Sequence, residues 1–76
     1  MITIKMMAVL KEFAPDDGRA LLDYEPGMTV ADALGTTGIA DAKVKYTVMV
    51  NNARKTTGDA LQDGDTIIVM PLLAGG

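Results

Sequence analysis

The chain has no cysteine and no histidine. Those absences exclude a disulfide framework, a Cys/His zinc site and a self-contained Cys or Ser-His nucleophile. They fit a reducing cytoplasm, the expected location. Tryptophan is also missing, and one Phe with two Tyr bring the aromatics to 4%. Any core must therefore be built from aliphatic side chains and the six methionines. Seven Lys and Arg against ten Asp and Glu leave a net charge of −3, with no cluster of cations. Nucleic-acid binding is disfavoured, because phosphate contacts need several grouped cations. No apolar run approaches the roughly 18 residues of a membrane span. Lys5 and Lys11 interrupt the opening "MITIKMMAVLKEF", so no signal peptide is expected.

What is present is apolar and short. Seventy-six residues, 49% of them hydrophobic, make one domain near the lower size limit for a chain without metal or disulfide support. The stretch 2–10, "ITIKMMAVL", reads as a first strand with Ile2, Ile4 and Met6 on one face. Turn chemistry in 14–19, "APDDGR", leads to a second strand over 20–25, "ALLDYE", and so to a hairpin. Thr29 and Asp32 form an Asp version of the capping box. Asp32 also suits the positive end of a helix dipole. Val30, Ala33 and Leu34 then share one face of a helix of about two turns, with Gly38 as its C-cap. The stretch 45–50, "KYTVMV", predicts a third strand in which Tyr46, Val48 and Val50 alternate with Thr47 and Met49. A turn over 51–54, "NNAR", is followed by a weak short strand in "KTTG". The last strand, 66–70 "TIIVM", is apolar on both faces, as a central strand or one meeting a partner would be.

The order β-β-α-β-β with a single crossover helix predicts an α+β fold of the ubiquitin-like β-grasp type. Its mixed sheet has four to five strands, and the last lies parallel to the first at its centre. The expected division is a domain over 1–71 and a flexible C-terminal Gly-Gly tail over 72–76. A frayed or engineered end is the bland reading of Gly75-Gly76.

With that architecture in place, the sequence resembles the MoaD/ThiS family of ubiquitin-like sulfur carriers. The matching stretches are "PGMTVADAL", "VMVNN" and "LQDGDTIIVMPLLAGG". Within the last, the family pattern falls on Leu61, Gly64-Asp65, Thr66–Met70, Pro71 and Gly75-Gly76. Asn52 stands where a glycine is usual, and Leu72 where many molybdopterin-synthase small subunits have a second proline. The resemblance implies that the Gly76 carboxylate is adenylated by an ATP-using, E1-like adenylyltransferase. A persulfide enzyme then donates the sulfur that displaces AMP, leaving a thiocarboxylate. A synthase large subunit or a thiazole synthase would consume that sulfur, in molybdopterin or thiamine biosynthesis respectively. The molybdopterin-type role is favoured by the "P-x-x-A-G-G" ending. The chain would be cargo rather than an enzyme, binding no cofactor and no metal itself, with ATP used by its partner.

The residues support that chemistry directly. Without Cβ atoms, Gly75 and Gly76 can thread a narrow channel in a partner. An α-carboxyl with pKa of about 3.3–3.7 is ionised at neutral pH. Pro71 would aim the tail, and Leu72, Leu73 and Ala74 would dock on the partner. Met7, Met49 and Ile68 or Met70 should face away from the helix, forming a candidate contact surface, because methionine adapts to several partners. Asp63 and Asp65 read as turn residues rather than a cation site, Asp16-Asp17 as a hairpin tip, and Lys43, Lys45, Arg54 and Lys55 as solvated, with contact of a few of them to an acidic partner left open. Two other classes stay open: a ubiquitin-like modifier joined to lysines through Gly76, and a β-grasp module with an inert terminus.

Overall fold

The computed structural model describes residues 1–14, 16–41 and 45–72, which form five strands, one α-helix and two short 3₁₀ turns. The elements are β1 (Ile2–Met6), β2 (Arg19–Leu22), α1 (Val30–Leu34), β3 (Tyr46–Val50), β4 (Ala53–Lys55) and β5 (Thr66–Pro71). They make a single mixed sheet in the order β2-β1-β5-β3-β4. β1 and β5 run parallel at its centre, and every other pairing is antiparallel. This is the ubiquitin-like β-grasp topology expected from the element order.

Alternation decides what each strand buries. Ile2, Ile4 and Met6 of β1, Val48 and Val50 of β3, and Ile67 and Val69 of β5 point to one side. There they meet Val30, Ala33 and Leu34 of α1, with Ile39 and Leu61. The capping box at Thr29 forms as the sequence predicts. The Asp32 N–H donates to Thr29 Oγ1 at 3.3 Å, and the Thr29 N–H donates to Asp32 Oδ2 at 3.0 Å. Two further N–H groups of the first turn, Val30 and Ala31, donate to the carbonyls of Asp59 and Thr57.

Four expectations are corrected. The first strand stops at Met6 instead of running to 10, because Ala8 takes φ +54 and residues Ala8–Phe13 wind into a 3₁₀ turn. At three residues per turn, Leu10 and Phe13 fall on one side. Leu10 is fully buried and Phe13 packs against the core. The second strand is Arg19–Leu22, not 20–25, and the hairpin tip is the pair Asp17-Gly18, both at positive φ. Only glycine fits there, since a Cβ on Gly18 would lie 2.6 Å from the Met6 carbonyl oxygen. The helix is five residues long, and Gly38 opens the second 3₁₀ turn (Gly38–Asp41) instead of capping α1. The C-cap is Gly35, and the hydroxyls of Thr36 and Thr37 donate to the Ala33 and Leu34 carbonyls at 2.7 and 2.8 Å. Finally, Asn51 and Asn52 at φ 51 and 68 complete the turn after β3 by themselves, so β4 begins at Ala53 and includes Arg54. Asn52 thus adopts the backbone angle that a glycine would take there.

Candidate functional site

β5 is held on both sides, by β1 and by β3, along most of its length. Its last residue, Pro71, pairs with Tyr46. Proline has no N–H to donate. The next residue supplies one: the Leu72 N–H donates to the Lys45 carbonyl at 3.0 Å. Beyond that bond the Leu72 side chain stands 50% exposed, in keeping with its expected place outside the core. Leu73 and Ala74, expected to dock, and Gly75 and Gly76, expected to react, lie outside the described residues, as does Lys43.

The same strand organises the candidate contact surface. With Ile67 and Val69 turned into the core, Ile68 and Met70 face away from α1 together, because they are two residues apart. Both therefore belong to the outer face, not one or the other. Across β3, Met49 stands opposite Ile68 and Thr47 opposite Met70. Met7 lies beyond the end of β1, but its backbone is still extended (φ −104, ψ 153) and its N–H donates to the Val69 carbonyl at 2.9 Å. Its side chain is 43% exposed. Continuing the β1–β5 register by one residue sets Met7 beside Met70. Met7, Met49, Ile68 and Met70 thus share one face near the end of the sheet from which Pro71 and Leu72 emerge. Thr47, Met49, Met70 and Arg54 line a shallow groove in it. Arg54 joins this face because it lies in β4, opposite Met49, and not in the preceding turn.

The start of β5 is tied down by polar groups. Asp65 is buried. Its carboxylate accepts from Asn51 Nδ2 at 2.7 Å and from the Gln62 N–H at 2.8 Å. Asn51 Oδ1 in turn accepts from the Thr66 N–H at 3.1 Å. This clasp fixes the turn after β3 against β5, and so fixes the register that sets Met49 opposite Ile68. Asp63 is engaged by the Met1 ammonium group. The two aspartates are therefore structural, as their turn sequence suggests. Among the described residues no three His, Cys, Asp or Glu side chains gather as a metal site, and no helix is long and apolar enough to cross a membrane. The arrangement can present a strand end and an apolar face.

No protein-family model and no curated protein matches the chain. Among solved structures it is similar to the crystal structure of SAMP1 from Haloferax volcanii. The two are 25% identical, with a TM-score of 0.78 over 99% of this chain and 98% of that one. The likeness spans the whole domain, and the fold is ubiquitin-like.

Proposed function

We propose that this ubiquitin-like protein is a cytoplasmic sulfur carrier that acts through Gly76. The observation that carries this reading is the placement of β5. The most firmly held strand of the sheet ends at Pro71, and an exposed Leu72 follows it, four residues before Gly76 in the sequence. A carboxylate is a poor electrophile until its oxygen becomes part of a good leaving group. An E1-like adenylyltransferase supplies that group: the Gly76 carboxylate attacks the α-phosphorus of ATP and pyrophosphate leaves. The terminal sulfur of an enzyme persulfide then displaces AMP from the acyl carbon, and a thiol cleaves the S–S bond of the acyl disulfide so formed, leaving a disulfide on the donor and the sulfur on Gly76. The resulting thiocarboxylate delivers sulfur to a cofactor precursor, the molybdopterin dithiolene by preference, with the thiamine thiazole as the second pathway. Gly75 and Gly76 thread the partner's active-site channel, Pro71 sets the direction of exit, and Leu72, Leu73 and Ala74 rest against the channel mouth. Met7, Met49, Ile68 and Met70 form the docking face. The β-grasp fold shared with SAMP1 over nearly the full length of both chains supports the ubiquitin-like part of this assignment.

Intact mass spectrometry tests it, after co-expression with an E1-like enzyme and a persulfide donor. The expected product has one terminal oxygen replaced by sulfur, and deletion of Gly76 abolishes loading while the amide NMR spectrum stays folded. Gly76 linked to lysine side chains would make the protein a modifier instead. An unmodified terminus would sink both readings.

A further inference from the structure

Charge is segregated between the strands and the rest of the chain. All ten Asp and Glu residues fall outside the five strands, whereas Lys5, Arg19, Arg54 and Lys55 fall inside them. The registers set three of these cations in one line. Arg19 stands opposite Lys5, Lys5 beside Ile68, Ile68 opposite Met49, and Met49 opposite Arg54. All five belong to the outward-facing set, one from each strand, in a row spanning about 19 Å at ordinary strand spacing. Its centre is apolar and both ends are cationic. Three acidic groups gather elsewhere, Asp23, Glu25 and Asp32 lining a cleft beside α1, while Asp16 pairs with Arg19 across the hairpin at one end of the row without an ion pair between them. The one ion pair among the described residues joins Met1 to Asp63. Lys5, Arg19 and Arg54 therefore meet no carboxylate among those residues.

Cations on edge strands deter edge-to-edge pairing. That accounts for Arg19 on β2 and for Arg54 and Lys55 on β4, the two edges of the sheet. It does not account for Lys5, whose strand is hydrogen-bonded on both sides. Building on the reading of this face as the docking surface, we infer that its partner is a protein surface with an apolar centre edged by Asp and Glu side chains, recognised by the row Arg19, Lys5, Ile68, Met49 and Arg54. Three cations divided by an apolar centre do not match the closely spaced phosphates of nucleic acid. The net charge of −3 repels polyanions and anionic bilayers alike. In such an interface the rim charges govern association rate and choice of partner, while the buried centre governs residence.

Two measurements test this. The first needs no partner: amide NMR broadening by an anionic and by a cationic nitroxide reads the local potential. The anionic probe should broaden Lys5, Ile68 and Met49 more strongly, despite the protein's net negative charge; equal or reversed broadening overturns the inference. The second uses an E1-like enzyme that adenylates the wild-type chain in ATP–pyrophosphate exchange. K5E, R19E and R54E should each raise KM about twofold to fivefold. The triple variant should raise it about tenfold, with kcat unchanged and the salt dependence of KM flattened. A triple variant whose KM moves less than twofold overturns the inference. Capture of an oligonucleotide or of phosphatidylserine vesicles through the same three residues overturns the assignment to a protein partner. A wild-type chain that no E1-like enzyme adenylates counts against the carrier reading alone, and the nitroxide comparison then still decides the character of the face.

Discussion

Ile67 and Ile68 are neighbours in β5 with the same side chain, and they do different things. Ile67 is fully buried among Ile4, Val48, Val69 and the residues of α1. Ile68 points the other way and stands between Lys5 and Met49 in a face that α1 does not cover. The two faces of one sheet thus use the same kind of residue for different ends. On the covered face, apolar area removed from water stabilises the fold. On the bare face, apolar side chains contribute little to stability and remain available to a partner.

The sharpest way to break that division is to truncate both isoleucines separately. Ile67→Ala should cost about 2–5 kcal/mol, the range for an aliphatic side chain removed from a packed core, and in so small a domain much of the population would unfold. Ile68→Ala should cost less than about 1 kcal/mol, the span of ordinary strand preferences, and should weaken adenylation by the partner instead. Urea unfolding curves check both. If Ile68→Ala lowers the midpoint as far as Ile67→Ala, the outer face belongs to the core and the division fails.

Asp65 links the two faces, so its loss should disturb both. Replacing it with Ala leaves Asn51 Nδ2 and the Gln62 N–H without their acceptor, at a cost of about 1–3 kcal/mol. The β3–β5 register loosens with it, and amide shifts should move at Val48 and Val69 on one side and at Met49 and Ile68 on the other. Movement confined to one face would show that the clasp does not set the register.

Much of this could be read from the residues because local chemistry and tertiary need agree. Thr29 and Asp32 cap a helix in any context. The alternation of Val48 and Val50 with Thr47 and Met49 has one solution in a half-covered sheet. Two apolar faces on "TIIVM" suit a central strand or one meeting a partner, and β5 is central in the sheet. The turn from strand to 3₁₀ at Ala8 had no such signal. An alanine at positive φ follows from tertiary closure, because Leu10 and Phe13 are needed at the end of the core, and an apolar run suits a strand equally well. Gly38 misled because the helix already ends at Gly35, where two threonine hydroxyls also bond the last helical carbonyls. The cationic row was missed for a different reason. Lys5, Arg19 and Arg54 are far apart in sequence, and only the strand pairing aligns them. The absence of acidic residues from every strand gave no warning either, because it holds only once β2 ends at Leu22, before Asp23 and Glu25.

The smallest effect concerns the covered face alone. The loop 56–60 supplies two carbonyls to the start of α1 and is itself closed by Asp59, whose carboxylate accepts from the Thr56 N–H at 2.7 Å and from Thr56 Oγ1 at 3.2 Å. The Thr56 backbone N–H is the main reason the Asp59 carboxyl titrates below its ordinary value of 3.8, helped by the Thr56 hydroxyl and by Lys55. A pKa depressed by folding means that the unfolded chain takes up the proton first. The stabilisation is therefore fully present above 3.8 and fades as pH falls through the lower, folded-state value. Asp59→Asn lacks this contribution at every pH. The difference in Tm between wild type and variant should accordingly be constant above about pH 5 and close on acidification below the ordinary carboxylate value. Amide shifts over the same titration should move at Val30 and Ala33, in the helix, and stay still at Met49 and Ile68. An equal response on the outer face would mean that the helix start and the outer face are coupled, and that the two faces cannot be altered independently.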